Sequence, residues 1–266
     1  MSARESGAVR SVSKAMELLS CLAGGPLSLG ELSRRTGIPK ATVHGLLSSM
    51  RPFAVVEQSA EDGRYRLGVR LFEYGCAVSR SWNVLEAAAE PMRRVAEETG
   101  ETVSIAALDR GEVLVLDCAD AHSNLRVVSE KGARLPLHCT SQGKLLLACL
   151  PEAQRRSLLR ECVFTTYTPH GHTNAASLEE ELEEIRRRGL AMENGEYRIG
   201  LRSVSAPVFD VDGRAAYAVC VVGMFRRMDA PELERAAELL LKAAARISFD
   251  MGYRGAEEGR TDHAAN

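Results

Sequence analysis

The chain has 266 residues, of which 45% are hydrophobic and 26% are charged, a composition typical of soluble globular proteins. Its length favours two domains, each with a buried core. No apolar stretch approaches the roughly 18 residues that cross a bilayer, and the first ten residues lack the apolar segment of a secretory signal. The net charge of −2 by itself indicates no partner.

Seven cysteines are spread along the chain without a C-x-x-C pair. An odd number at wide spacing argues against a disulfide framework or a zinc ribbon, and it favours the cytoplasm as the compartment. Most of these cysteines are expected to be small buried apolar side chains. No metal and no cofactor are expected.

Charge is unevenly distributed between the two ends of the chain. Residues 1–70 hold ten lysines and arginines against six acidic residues, whereas acidic residues are in excess by six in the remainder. A basic N-terminal module on an acidic body fits nucleic-acid contact at one end of the protein.

The N-terminal module begins with three predicted helices. Apolar residues at helical spacing run from Val12 to Leu22, and a Gly-Gly-Pro sequence ends that helix. Ser28 and Glu31 are spaced as a capping box for a second helix over 29–36. Gly37 then allows the left-handed turn that leads into the third helix.

Pro39 opens the third helix, which carries an apolar stripe through Val43 and Leu47. Small or polar side chains lie on its opposite face, where they can approach a DNA groove and bond phosphates or base edges. The candidate DNA-binding residues on this helix are Lys40, Thr42, His44 and Ser48.

A β-hairpin is predicted after the third helix, from a strand over 53–57, a turn at 61–63 and a return strand over 64–67. Arg64 and Arg66 lie on one face of the return strand and are the remaining candidate DNA-binding residues. The three helices and the basic hairpin together predict a winged helix-turn-helix that reads duplex DNA. A helical hairpin used only for assembly is the alternative.

A linker helix is predicted over 68–81, and a second amphipathic helix follows it, with Trp82 at their junction. The periodicity then changes to that of strands, which alternate with helices up to residue 250. We predict an α+β domain around an antiparallel sheet, with helices on one side. The predicted strands cover 102–108, 112–118, 125–129, 191–193, 201–209 and 215–222, and the predicted helices cover 141–150, 177–188 and 228–250.

Motifs along nearly the whole chain resemble those of the IclR (isocitrate lyase regulator) family of bacterial transcription factors, and they occur in the family's order. The motifs are Ser11–Leu19 (SVSKAMELL), Pro26–Leu32 (PLSLGEL), Thr36–His44 (TGIPKATVH), Gly63–Gly68 (GRYRLG), Ala96–Thr102 (AEETGET), Arg134–His138 (RLPLH), Gly143-Lys144, Ile185–Gly189 (IRRRG), Gly200–Arg202 (GLR), Ala206–Asp210 (APVFD) and Met251–Tyr253 (MGY).

The resemblance implies a winged helix-turn-helix over 9–68, a linker helix over 69–82 and an effector-binding domain over 83–253 with a GAF/PAS-like antiparallel sheet. A disordered tail over 254–266 is expected. The family also implies homodimers or dimers of dimers on palindromic operators. The expected function is therefore a ligand-responsive transcriptional regulator without catalysis, whose sign of regulation stays open.

Two positions in the N-terminal module depart from the family's pattern. Gly45 stands where the family usually has arginine, which puts the operator sequence and affinity in question. Around Arg51-Pro52-Phe53, proline replaces the family's usual glycine-containing approach to the wing.

The resemblance also implies a ligand cavity between the sheet and the helix that begins near Gly143. The matching positions are Ser141, Gln142, Glu193, Leu201, Ser203, Cys220 and Val222. A helix N-terminus suits a carboxylate, which makes a small organic or aromatic acid the expected effector. Ser203 replaces the family's usual cysteine, Val222 makes the last strand less polar, and Glu193 favours a ligand with a donor group. The alternative for Ser203 and Cys220 is that they are ordinary core residues.

Other chemistry finds little support in the sequence. The residues before Gly143-Lys144 lack P-loop spacing, and Ser141 lacks the Gly-x-Ser-x-Gly elbow of hydrolases. His170 and His172 with Cys162 suggest a metal only weakly, so a solvated loop is expected there. The rival function is a small-molecule-binding or enzymatic domain whose winged helix serves assembly only.

Overall fold

The computed structural model describes residues 9–80, 83–120 and 130–255, and the chain divides into two compact units between Trp82 and Asn83. The N-terminal unit holds four helices and a two-stranded antiparallel sheet. Its elements are α1 (Arg10–Ala23), α2 (Leu29–Thr36), α3 (Lys40–Met50), a 3-10 turn (Arg51–Phe53), β1 (Val56–Gln58), β2 (Tyr65–Leu67) and α4 (Val69–Arg80).

The predicted signals around α2 and α3 are present. Ser28 Oγ accepts a hydrogen bond from the Glu31 N–H, and the Glu31 side chain accepts one from the Ser28 N–H, which completes the capping box. Gly37 adopts the left-handed conformation at φ 69°. Ile38 and apolar side chains from all three helices then form one buried core, so α3 is held by packing rather than by propensity alone.

The wing differs from its prediction at the first strand. Phe53 lies in the 3-10 turn and is exposed, and pairing begins only at Val56, which lies opposite Leu67. Pro52 explains the difference, because it fits the start of a helical turn and cannot donate to a strand ladder. At Gly68, a Cβ atom would lie 2.1 Å from the Ala54 carbonyl oxygen, so only glycine fits where the wing closes against this turn.

The C-terminal unit is built on a six-stranded sheet in the order β5-β4-β3-β8-β7-β6, with every neighbouring pair antiparallel. This arrangement confirms the predicted α+β class. Its elements are α5 (Asn83–Thr99), β3 (Thr102–Asp109), β4 (Glu112–Ala119), β5 (Arg134–Leu135), α6 (Ser141–Cys149), α7 (Glu152–Glu161), α8 (Ala175–Arg188), β6 (Ala191–Asn194), β7 (Leu201–Phe209), β8 (Ala215–Met224) and α9 (Ala230–Asp250).

Helices cover both faces of this sheet, so the prediction of helices on one side was wrong. Ser205 of β7 contacts Ser141 of α6, whereas Val204 and Ala206 point to the opposite face and are equally buried. That second face is covered by α9, which packs on β7 and β8, and by α5, which packs on β3, β4 and α9. Burial on both faces explains why β7 and β8 read as nearly continuous apolar runs.

The charged helix α7 was not predicted. The predicted strand over 125–129, Trp82, and residues 256–266 of the expected tail lie outside the described residues. Within the described ranges, no helix is both long and apolar enough to cross a membrane.

Candidate DNA-binding face and effector cavity

The four predicted DNA-binding residues of α3 are all exposed, on the side away from the core. An α-helix turns by about 100° per residue, so Gly45 projects opposite the buried Val43 and Leu47, and the exposed His44 and Ser48 lie on one side of Gly45. Lys40 and Thr42 lie at the two flanks of the exposed surface. The result is a polar face of small side chains with one cation at its edge.

Gly45 lies in the middle of this face. A Cβ atom built there would meet no atom within 4 Å, so the protein itself does not require glycine at this position. The space beside Gly45 keeps the helix backbone accessible to a groove, in place of the longer basic side chain expected from the resemblance.

The two wing arginines are exposed and engaged in surface ion pairs. Arg66 lies opposite Glu57 in the strand register and pairs with its carboxylate at 2.9 Å. Arg64 donates to the Pro26 carbonyl at 3.2 Å and lies 3.6 Å from Glu31. Exposed pairs of this kind are weak, so both guanidinium groups can exchange their partners for phosphates.

All seven predicted effector-binding residues line one cavity of about 40 Å³ in the C-terminal unit. The structure therefore brings together positions that are up to 81 residues apart in the sequence, from Ser141 to Val222. Three further residues of its wall were not predicted: Leu135, Thr140 and Tyr197. Leu135 lies within the family-like Arg134–His138 motif and Thr140 follows it by two residues, so this motif was the available signal for both.

Strand register explains how the floor of the cavity forms. Glu193 pairs with Ser203, and Ser203 pairs with Val222, so the three side chains lie side by side across β6, β7 and β8. Ser205 and Cys220 form the next row of the same face. Because side chains on a strand alternate with a period of two, this face is separate from the one that packs on α9.

The polar groups of the cavity are bonded to one another. Ser141 Oγ lies 2.8 Å from Ser203 Oγ and 2.7 Å from Ser205 Oγ, and the Cys220 Sγ is 3.5 Å away. Gln142 donates to the Ala218 carbonyl at 3.1 Å. Ser203 and Cys220 are thus both buried core residues and part of the cavity wall.

Glu193 is the buried carboxyl group of this floor. Its Oε1 accepts hydrogen bonds from the backbone N–H groups of Glu196 at 2.6 Å and Tyr197 at 3.2 Å, and Ser203 donates to its Oε2. Burial raises the pKa of Glu193 above its ordinary value, and these hydrogen bonds offset only part of that rise. A neutral Glu193 is therefore favoured over a wider pH range than for an exposed glutamate.

The N-terminus of α6 forms the opposite wall. Thr140 caps the helix by accepting from the Gly143 N–H at 3.1 Å. A Cβ atom on Gly143 would lie 2.4 Å from the Leu137 carbonyl oxygen, so glycine allows the helix to rest directly on that backbone. The first N–H groups of a helix have no intrahelical partner and face outward with partial positive charge.

Lys144 was not predicted to have a role beyond its motif, yet it is completely buried. Its ammonium group donates to Glu181 at 2.7 Å and to Glu196 at 2.6 Å. A lysine one turn into an apolar helix gives no sequence signal for such partners, because they come from α8 and from the segment after β6.

The three residues considered for a metal do not come together. Cys162 Sγ is 3.9 Å from His138 Nδ1, whereas His172 Nε2 lies 2.5 Å from a carboxylate oxygen of Glu181. His170 donates its backbone N–H to Thr168. The loop around His172 is consequently anchored on α8 rather than simply solvated.

Comparison with known proteins agrees with this architecture. The IclR helix-turn-helix domain matches residues 11–59, and the C-terminal domain of the bacterial transcriptional regulator IclR matches residues 76–249. The chain belongs to the IclR family. Among individual relatives, it is similar to the HTH-type transcriptional regulator BhcR of Paracoccus denitrificans, at 32% identity over 96% of this chain and 91% of the relative.

The transcriptional repressor IclR of Escherichia coli is 30% identical, over 92% of this chain and 91% of the repressor. The crystal structure of an IclR homolog complexed with 4-hydroxybenzoate, from Microbacterium hydrocarbonoxydans, superimposes with a TM-score of 0.82. The match covers 91% of this chain and 98% of the homolog at 24% sequence identity, and this similarity establishes the fold. The IclR-family chain described here is thus a transcriptional regulator with a DNA-binding helix-turn-helix and a C-terminal effector domain, and it is not an enzyme.

Proposed function

We propose that this regulator binds palindromic operator DNA as a homodimer or a dimer of dimers, with α3 in the major groove and the wing on the flanking backbone. The observation that carries the proposal is the exposed polar face of α3 opposite the buried Val43 and Leu47. Two such faces related by a twofold axis match half-sites about one helical turn, ~34 Å, apart. A cytoplasmic location belongs to the same proposal.

The wing contact is tested by a mobility-shift titration on the promoter region of the protein's own gene at several salt concentrations. Arg66→Ala should weaken binding and lower the slope of log K against log salt by about 0.9, because one phosphate contact is lost. Arg188→Ala is the matched control, since Arg188 lies on the other unit, is similarly exposed and is likewise paired with a glutamate. An unchanged slope for Arg66→Ala would contradict the wing contact.

For the effector, we infer a small carboxylic acid that also carries a hydroxyl or another hydrogen-bond donor. Its carboxylate would lie at the N-terminus of α6, beside Ser141 and Gln142, where free N–H groups favour an anion. Its donor group would contact Glu193, the carboxyl group of the floor. Ligand cavities usually measure about 300 Å³ or more, so the ligand must widen a cavity of about 40 Å³ and replace bonds such as Ser141–Ser203.

Paired probes test both parts of this inference in a thermal-shift assay, since a ligand that binds only the native state raises its melting temperature. Benzoate and 4-hydroxybenzoate form one pair, and propionate and lactate form the other. The hydroxylated acid of a pair should give the larger shift, and Glu193→Gln should reduce that preference. Equal shifts from the corresponding neutral amides would contradict the carboxylate position.

The rival proposal, a winged helix that serves assembly only, makes a different prediction. It requires that the protein shows no affinity for its own promoter region even at low salt, where phosphate contacts are strongest. In that case, gel filtration would show that the protein is an oligomer and that it loses this oligomeric state when the N-terminal unit is disrupted. A salt-dependent shift with promoter DNA excludes it.

A further inference from the structure

A second cluster of ligating groups lies outside the cavity wall, between the loop before α8, α8 itself and the segment after β6. One ligand atom each from His172, Glu181 and Glu196 lie within 4.8 Å of one another. We propose that these three residues bind one divalent transition-metal ion of the Zn²⁺ class. The proposal is independent of the operator and effector assignments.

The first argument is a buried oxygen atom that lacks a partner. Glu196 is 8% exposed, and its Oε2 atom is buried with no hydrogen-bond partner. Leaving a charged acceptor in this state costs considerable free energy. A cation held by Glu196 and its two neighbours would satisfy this oxygen atom.

The second argument follows from the contacts of the His172 ring. Nδ1 lies 3.1 Å from the Ser177 Oγ atom, and Nε2 lies 2.5 Å from the Glu181 Oε2 atom. In the tautomer that donates from Nδ1 to Ser177, the Nε2 lone pair is directed at this carboxylate oxygen. A metal ion bound by both atoms would replace that close contact between two acceptors.

Lys144 would hold the two carboxylate ligands in place and does not occupy the position of the ion. Its ammonium group donates to the Oε1 atoms of both Glu181 and Glu196, which leaves the Oε2 atom of each carboxylate for a metal. Metal-binding carboxylates commonly have their other oxygen hydrogen-bonded in this way, and metal-binding histidines commonly donate their second N–H. Lys144 and Ser177 provide these two contacts.

The donor set and its surroundings indicate the class of metal. One imidazole nitrogen with two carboxylate oxygens suits Zn²⁺ and similar ions, whereas Ca²⁺ and Mg²⁺ prefer oxygen alone. Thr168 holds the Glu196 segment by donating to the Gly195 and Glu196 carbonyls at 2.6 and 3.0 Å. Entry is open, because the His172 and Glu181 side chains are 18% and 31% exposed.

The test uses the full chain, stripped with a chelator and titrated with Co²⁺ and then Zn²⁺ in the absence of any effector. We expect one ion per chain, a visible Co²⁺ absorption band that Zn²⁺ removes, and a higher melting temperature of the C-terminal unit. His172→Ala should weaken binding at least tenfold. His170→Ala is the control, because it changes a histidine two residues away that lies outside the cluster.

Two results would overturn the proposal. One is the absence of stoichiometric Co²⁺ binding in the unaltered chain, together with an imidazolium NMR signal for His172 at neutral pH, since a protonated ring paired with Glu181 accounts for the short contact without a metal. The other is equal binding by the unaltered chain and His172→Ala. Melting of His172→Ala in chelator, compared with the stripped parent, establishes that the variant is folded.

Discussion

The polar side chains of the α3 face and those of the effector cavity differ in exposure and in hydrogen bonding. On α3, residues such as His44 and Ser48 are exposed and stand clear of the core. In the cavity, Ser141 and Glu193 are buried and bonded to neighbouring protein atoms. A residue on the α3 face can therefore change with little effect on folding, whereas a cavity residue belongs to the core, and under the proposed function a ligand there replaces existing hydrogen bonds.

The largest expected effect comes from two glycines, one in each region. Gly143→Ala should lower the free energy of unfolding of the C-terminal unit by about 3 kcal/mol, because the new Cβ atom overlaps backbone that cannot move cheaply. Gly45→Ala is the matched control and should stabilise the N-terminal unit by about 0.5–1 kcal/mol, since its Cβ meets nothing and alanine favours a helix.

Chemical denaturation, followed by probes specific to each unit, measures both glycine variants. A destabilising Gly45→Ala would mean that α3 is under a constraint beyond its own packing. A neutral Gly143→Ala would show that the N-terminus of α6 can shift away from Leu137, and the distinction between the two regions would then fail.

A smaller effect is expected from a pair of serines. Ser141→Ala removes the hydroxyl that bonds both Ser203 and Ser205, so it should cost about 1–3 kcal/mol of stability by leaving buried hydroxyl groups unpaired. Ser48→Ala, on the exposed face of α3, should stay within about 0.5 kcal/mol. Urea titration gives the stabilities and a promoter mobility shift gives DNA affinity, which only Ser48→Ala should alter directly. The opposite pattern would contradict both assignments.

The smallest effect depends on pH. The pKa of Glu193 is raised by burial from an ordinary value of 4.5, so the folded state holds this proton more tightly than the unfolded state. The stability that this preference contributes is present below 4.5 and is lost as pH rises through the folded-state value. Glu193→Gln cannot lose a proton, so its stability relative to the parent should increase with pH above 4.5.

Parallel denaturant titrations of the parent and Glu193→Gln between pH 4.5 and 8 measure this difference. A difference that stays constant over the range would show that the bonds from Glu196 and Tyr197 fully offset the burial of the charge. Glu57→Gln is a suitable control, because Glu57 lies on the partly exposed wing.

Local signals explain how much of the fold was predictable. The Ser28–Glu31 capping box and the Gly37 turn act over a few residues, and both predicted their structures correctly. The helices on the second face of the sheet were predicted as helices but placed on the wrong side, because an apolar strand such as β7 does not indicate which helix covers each of its faces. The prediction that the first wing strand starts at Phe53 was wrong, because Pro52 favours a helical turn.

The cavity was predictable in its residues through the family resemblance, and periodicity alone would not have selected them. Its contacts were not predictable, because the partners of Ser141 and Lys144 come from strands and helices that are distant in sequence. The ion-pair cluster around Lys144 depends wholly on such distant contacts. Short-range sequence patterns identify helices and strands. Which buried polar groups contact one another is determined only by how those helices and strands pack together.

The two-residue alternation of β7 has a consequence for how this receptor can evolve. Ser203 lines the cavity and Ser205 lies on the same face of β7, bonded to Ser141, while Val204 and Ala206 pack on the other side of the sheet. Under the proposed effector site, substitutions that change ligand preference fall on every second codon, and the codons between them specify packing on the opposite face. Because Ser203 and Ser205 are themselves buried and bonded to Ser141, a change of ligand preference at these positions also costs stability.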